Sequence, residues 1–314
     1  MRPPVLSALL AFLLVAAACT GGAPQQSPSP SVSGFPGWPP LAAADSFELV
    51  PVPISSDLAV GPNRFLLNLI DRQNRPQAAP DRAATLNFYD LARDPAQPVT
   101  SAAGTYMTTI PQLPGLYRAQ VEFATAGDWG LEVITSEPDG SQRTGRMVFP
   151  VRPAPSTPAL GADAPASATP TATSAAEIGR ISTDRQPDPD FYTTSVDEAL
   201  DQNRPFLLVF ATPAFCTTAT CGPTLDIVKS VAADYKERVT FIHVEPYELD
   251  LADGVLQPRF DQANRPITVE SVREWGLRTE PYIFVVDAAG KVRAKLEGVA
   301  SVDEIEAALA AVAQ

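Results

Sequence analysis

Cys216 and Cys221 are the side chains of this 314-residue chain with the clearest chemistry. A thiolate is a nucleophile and a soft metal ligand. Two thiols close together can also join, part and exchange with other sulfurs. Four residues separate the pair, in the order Cys216-Thr217-Thr218-Ala219-Thr220-Cys221. On one continuous helix, positions five apart point about 140° away from each other. The two sulfurs can therefore meet only if at least one cysteine sits in a loop before the helix. Pro223 suits the first turn of such a helix, where its missing N–H costs little. The sequence leaves two registers open, one led by Cys216 as the nucleophile and the other with Cys221-Gly222-Pro223 at the helix start and Cys216 folded back, in which the roles of the two thiols exchange.

The third cysteine, Cys19, ends an N-terminal run of a different kind. Arg2 precedes an apolar stretch from Val5 to Ala18, which is short for a membrane span and suited to a signal-peptide core. The ending Ala16-Ala17-Ala18-Cys19 resembles the bacterial lipobox and closes the expected lipoprotein signal segment, residues 1–19; the resemblance implies that Cys19 is lipidated and becomes the mature N-terminus. Residues 20–44 are rich in Gly, Ser, Pro and Gln and predict a flexible tether. The expected location is the outer side of a cell membrane, held by a lipid anchor. There a nearby cysteine pair can oxidise and stay oxidised. The net charge of −13 repels phosphate backbones, so no nucleic-acid partner is expected. A single histidine, His243, excludes a multi-histidine metal site within one chain.

The elements that must position the pair lie in residues 190–314, which read as α/β. Ser195 and Ser301 each precede a helix, with Glu198 and Glu304 at capping-box positions. Phe206–Phe210 and Val239–Val244 are continuous apolar runs of buried strands. Pro223–Glu237 carries a helical apolar stripe, and Val269–Trp275 reads as a short helix. Tyr282–Val286 and Val292–Leu296 flank the turn Asp287-Ala288-Ala289-Gly290. Strands separated by helices predict parallel crossovers, and the last two predict a hairpin. Glu245–Pro266 reads only as a polar stretch.

Residues 45–151 read as an Ig-like β-sandwich. Tyr117–Phe123 alternates apolar and polar residues strictly, and Trp129, Leu131 and Val133 repeat the pattern. Phe47–Val52, Arg64–Ile70, Leu86–Leu91 and Arg146–Val151 are further candidate strands, with Gly61-Pro62-Asn63 among the turn signals between them. Trp129 is expected in the core. Residues 152–189, dominated by Pro, Ala, Ser and Thr, predict an extended, solvated linker.

Two family resemblances follow. Val209-Phe210-Ala211-Thr212-Pro213-Ala214-Phe215-Cys216 resembles the strand and loop entering the thioredoxin active site, and Trp275–Asp287 resembles the segment that holds that family's cis-proline. The resemblance implies a thioredoxin-like fold. It assigns Cys216 as the attacking thiol by chain position, Cys221 as the resolving thiol and Pro281 as the residue that orients substrate. The family spaces its cysteines with two residues, so the four here are a departure. Glu280, just before Pro281, is expected to raise the pKa of a neighbouring thiolate. Val60–Phe65 and Gly127–Gly130 resemble small extracytoplasmic domains of the YtkA/FixH sort.

The function these readings imply is thiol–disulfide exchange on extracytoplasmic protein thiols and disulfides, with no cofactor. Two alternatives stay open. A copper-binding assembly protein resembling the Sco type would use both cysteines and His243, although His243 lies within a strand instead of a later loop. A non-catalytic scaffold would keep the pair as a structural bridge. A resemblance to the peroxiredoxins would imply a peroxidase, and that family has a threonine three residues before its reactive cysteine. Thr218 fits that rule for Cys221, but Ala214 stands where the accompanying proline belongs.

Overall fold

Period-two alternation turns the first half of the chain into sheet. The computed structural model describes Trp38 and residues 49–313, except 109 and 112. The signal segment and Cys19 lie outside the described residues. The strands are β1 (Val50–Pro53), β2 (Gly61–Ile70), β3 (Ala83–Asp90), β4 (Thr100–Met107), β5 (Leu116–Phe123), β6 (Gly127–Ser136) and β7 (Gln142–Val151). They form an antiparallel sheet in the order β1-β2-β5-β4-β3-β6-β7. β4 belongs to both halves: Thr100–Gly104 pair with β3, and Thr105–Met107 pair with β5. At this corner a Cβ on Gly104 would stand 3.0 Å from Leu86, so the sheet folds over where the side chain is missing. The folded layers enclose an aromatic core, including Phe65 against Phe88 at 5.3 Å and Phe123 against Trp129 at 4.9 Å. This is the expected sandwich, with Trp129 buried and its Nε1 donating to the Thr125 carbonyl at 3.0 Å.

Two sequence readings of this domain are corrected. Gly61-Pro62-Asn63 begins β2 instead of forming a turn, and β4 was not expected at all. Its sequence, TSAAGTYM, is small and polar until Tyr106 and Met107 at its end, so no apolar alternation marks it. Trp38, from the stretch read as tether, lies on the sheet 5.2 Å from Tyr89 and beneath the Arg146 guanidinium. Gly130 makes room for it, since a Cβ there would come within 2.7 Å of the indole.

The second half contains α2 (Val196–Asp201), β8 (Phe206–Phe210), α3 (Cys221–Ala232), β9 (Thr240–Val244), α4 (Glu270–Glu274), β12 (Tyr282–Val286), β13 (Val292–Glu297) and α5 (Val302–Ala310). The hairpin β10 (Leu249–Ala252) and β11 (Val255–Pro258) is inserted after β9. The sheet order is β13-β12-β8-β9. Every residue of Phe206–Phe210 is buried because both faces are covered. Leu207 and Val209 join the core under α3 and α5, while Phe206, Leu208 and Phe210 pack on the opposite face with Trp275 and Phe284. Both expected capping boxes form, at Ser195 and at Ser301.

Only β8 and β9 are parallel; β12 runs antiparallel to β8, against the expectation of crossovers throughout. The registers give the reason. Phe210 pairs with Val244 and also with Tyr282. The chain therefore re-enters the sheet at the same end of the strands at which β9 left it, on the other side of β8. The loop after β8, the segment after β9 and the approach to β12 all meet at this end.

The stretch 152–189 is also corrected. It lies against the α/β domain instead of in solvent. Ser167 and Thr169 are buried, the Ser167 hydroxyl accepts from Trp275 Nε1 at 3.1 Å, and Ala164 N–H donates to the Gly290 carbonyl at 2.9 Å. A further helix, α1 (Ala175–Ile181), carries its own capping box from Ser174 and Glu177. Small side chains let this backbone approach closely, and hydroxyls satisfy polar groups a solvated linker would leave to water.

The two domains are joined by buried charge. Glu304 of α5 accepts from Arg64 Nε at 2.7 Å and Nη2 at 2.8 Å, and Arg118 reaches it at 2.9 Å. Arg64 also donates to the carbonyls of Glu297 and Val299. Glu297 in turn accepts from Ser56 N–H at 3.0 Å.

Candidate functional site

The cysteine loop leaves β8 at the end where the three segments meet. Cys216 N–H donates to the Thr212 carbonyl at 3.1 Å, and Ala219 N–H to the Cys216 carbonyl at 3.3 Å. Ala219 takes a left-handed φ of 57°, which turns the chain back on itself. This brings the Cys216 sulfur to the N-terminus of α3. Thr220 stands at the N-cap but its side chain does not cap the helix. The Cys221 N–H donates instead to Cys216 Sγ at 3.3 Å. A sulfur thus fills the place of a capping oxygen at the positive end of the helix dipole.

Cys221 is the first residue of α3 and is fully buried. Its thiol donates to Cys216 Sγ across 2.6 Å. The Thr218 hydroxyl lies 3.2 Å from the same sulfur. These donors hold Cys216 well below the ordinary thiol range, at about 4, with the Cys221 thiol the largest cause and burial opposing it. Cys221 moves the opposite way, because its proton is shared with Cys216 and burial disfavours its anion. The pair therefore divides into a half-exposed thiolate and a buried thiol. The register is the one with Cys221 opening the helix, while the electrostatics give the exposed thiolate to Cys216.

The Glu280–Pro281 peptide is cis. The Glu280 charge acts on Cys221, whose pKa is raised first by the bond to Cys216, then by burial, and in smaller part by Glu280, while Cys216 moves down. The Glu280 carboxyl is itself pushed up, by burial first and then by the Cys216 charge, although the Tyr247 hydroxyl donates to it at 3.0 Å.

His243 sits in β9 and is fully committed. Its Nε2 lies 3.0 Å from the Ala211 carbonyl, which can only accept, so Nε2 carries the proton. Nδ1 is left to accept from the Tyr192 hydroxyl at 2.8 Å. Burial lowers its pKa to about 4, which keeps the ring neutral. Neither nitrogen is available to a metal, and no group of three or more candidate metal ligands occurs among the described residues. The proposed Cys–Cys–His copper site is not assembled.

Sequence reasoning missed Glu245. It lies buried just beyond β9 and accepts from Thr183 N–H at 2.6 Å, while the Thr183 hydroxyl accepts from Ala214 N–H at 3.1 Å. Burial pushes its carboxyl up to about 7. The available signal was a carboxylate ending the apolar run Phe241-Ile242-His243-Val244.

A family model for the thioredoxin-like domain matches residues 192–313. Residues 192–313 are a thioredoxin-like domain. The β-rich domain precedes it. No curated protein matches the chain.

Proposed function

We propose that this chain is a thiol–disulfide exchange protein, anchored by lipid at Cys19 on the outer side of a cell membrane, with extracytoplasmic protein thiols and disulfides as its partners. The observation that carries the reading is the asymmetry of the pair: a half-exposed Cys216 thiolate held by α3, with the Cys221 thiol 2.6 Å behind it. Cys216 Sγ attacks one sulfur of a substrate disulfide. The Cys216–substrate bond forms, and the other substrate sulfur leaves as a thiolate. Cys221 then gives up its proton and attacks Cys216 Sγ. The Cys216–Cys221 bond forms and the second substrate sulfur leaves, taking that proton. The substrate gains two electrons and the pair loses two; the reverse sequence oxidises a substrate dithiol. The role assigned to Pro281 is to orient an extended substrate through the backbone of Glu280, a reading supported by the cis peptide between them and by the charge interaction of Glu280 with Cys216.

The test is reaction of the full-length reduced protein with a disulfide-bonded peptide, followed as release of the peptide thiol. Activity abolished by Cys216→Ser supports the reading, and activity retained in that variant overturns it.

A further inference from the structure

A cavity of about 290 Å³ lies between the two domains, and one of its ends is the cysteine loop. At that end stand Thr218 and Thr220, the hydroxyl residues beside Cys216 Sγ, together with Glu280. The rest of the wall is mostly apolar: Ile54, Met107, Ile110, Leu113 and Leu116 come from the β-domain, and Val299 from the segment after β13, with Asn68, Thr279 and Glu297 as its polar members. Leu66 joins Met107, Ile110, Leu116 and Val299 in a single cluster, so the wall is packed from both domains. The β-domain therefore builds one side of a space bordered by the cysteine loop, whose Thr218 hydroxyl lies 3.2 Å from Cys216 Sγ.

The lining also states what fits. Among the described residues its only charged members are Glu280 and Glu297, and no lysine or arginine lines it. The whole chain carries −13. A small acidic thiol such as glutathione would bring negative charge to carboxylates with no cation to receive it. An apolar side chain would instead replace water against apolar walls. The cavity lies at the lower end of the range for ligand sites, which suits one or two side chains. Asn68 of β2 supplies the polar complement: its Oδ1 is buried at the cavity without a hydrogen-bond partner. A buried acceptor of this kind calls for a donor, and a substrate backbone N–H is one.

We infer that the β-domain forms a substrate subsite for the cysteine pair, selecting an extended polypeptide segment in which an uncharged apolar residue neighbours the reacting cysteine. The inference rests on the exchange reading above. The apolar side chain occupies the space walled by Met107, Ile110 and Leu116, the neighbouring backbone N–H meets Asn68 Oδ1, and the substrate sulfur faces Cys216.

The experiment uses the full-length reduced protein and four probes with one common leaving group, 2-thiopyridyl, on the probe sulfur. The probes are a peptide with leucine beside its cysteine, the same peptide with glycine there, glutathione, and hydroxyethanethiol. The leucine peptide is expected to react about tenfold faster than the glycine peptide or glutathione. Met107→Ala and Asn68→Ala are each expected to lower the leucine-peptide rate severalfold and leave the hydroxyethyl rate unchanged. Equal rates for the two peptides, or a faster reaction with glutathione, overturns the subsite while the exchange reading stands. Equal slowing of all four probes in both variants also overturns it. If none of the probes reacts with Cys216, the exchange reading itself fails, and the subsite with it. The wild-type comparison decides the matter even if a variant does not fold.

Discussion

The backbone N–H of Cys221 donates to the sulfur of Cys216 at 3.3 Å, so one cysteine caps the helix that the other begins. This single relationship resolves the spacing problem. Four intervening residues are too many for one helix face, but they suffice for a loop that turns back at Ala219. It also separates the two roles, because only the capping sulfur is partly open to solvent.

The division of roles predicts opposite outcomes for the two serine variants. Cys221→Ser should trap the substrate on Cys216 as a stable mixed disulfide, seen by mass spectrometry as one added substrate mass. Cys216→Ser should trap nothing, since the remaining thiol is fully buried at the start of α3. A mixed disulfide on Cys221 would reverse the assignment.

The interdomain ion cluster predicts a stability effect. Arg64 and Glu304 are almost wholly buried. Glu304→Gln leaves two arginines short of their anion and should cost about 3 kcal/mol, read as a lowered unfolding midpoint. The sign with pH follows from its pKa, lowered to about 2 by the hydrogen bond from Arg64 and then its charge, against burial. A depressed carboxyl contributes stability fully above its unfolded value of about 4.3. That contribution should fade as pH falls toward 2, and the variant should lack this part of the acid sensitivity.

Gly276 predicts how the 152–189 stretch is held. Its φ is 63°, and a Cβ there would stand 2.0 Å from the Ser156 carbonyl. Gly276→Ala should destabilise the protein by about 2 kcal/mol or more. Limited proteolysis should then cut near Ser156 faster than in the wild type. Unchanged cutting would mean that the stretch is not held there.

Burial of His243 predicts that copper does not use it. Cu(I) uptake by the reduced protein, if any, should be the same in His243→Gln and wild type, measured by competition with a chromogenic chelator. The neutral ring contributes stability above its unfolded pKa of about 6.5, and this is lost as pH falls through about 4. The variant should therefore flatten the stability profile over that interval.

How much of this was legible depended on whether a segment wrote its neighbours into its own pattern. Phe206–Phe210 is apolar throughout because it is buried on both faces, and Tyr117–Phe123 alternates because it is buried on one. β4 carries no such mark: alternate residues are only half covered, by side chains from β3 and β5. The β10–β11 hairpin exposes most of its residues, so no period forms. Its one readable sign was Asp253-Gly254, whose positive φ values of 51° and 80° suit a tight hairpin turn. In the site, the cysteines and Pro281 stood out by type and order. Glu245, Asn68 and the apolar wall did not, because their roles come from tertiary neighbours far away in the chain.

The most direct test of the account is a titration of the Cys216 thiolate by its ultraviolet absorbance in the reduced full-length protein, with Cys216→Ser as the blank. The account predicts a midpoint near 4, with thiolate absorbance lost as pH falls through it. A midpoint near 8.5, the value of an unperturbed thiol, would contradict it.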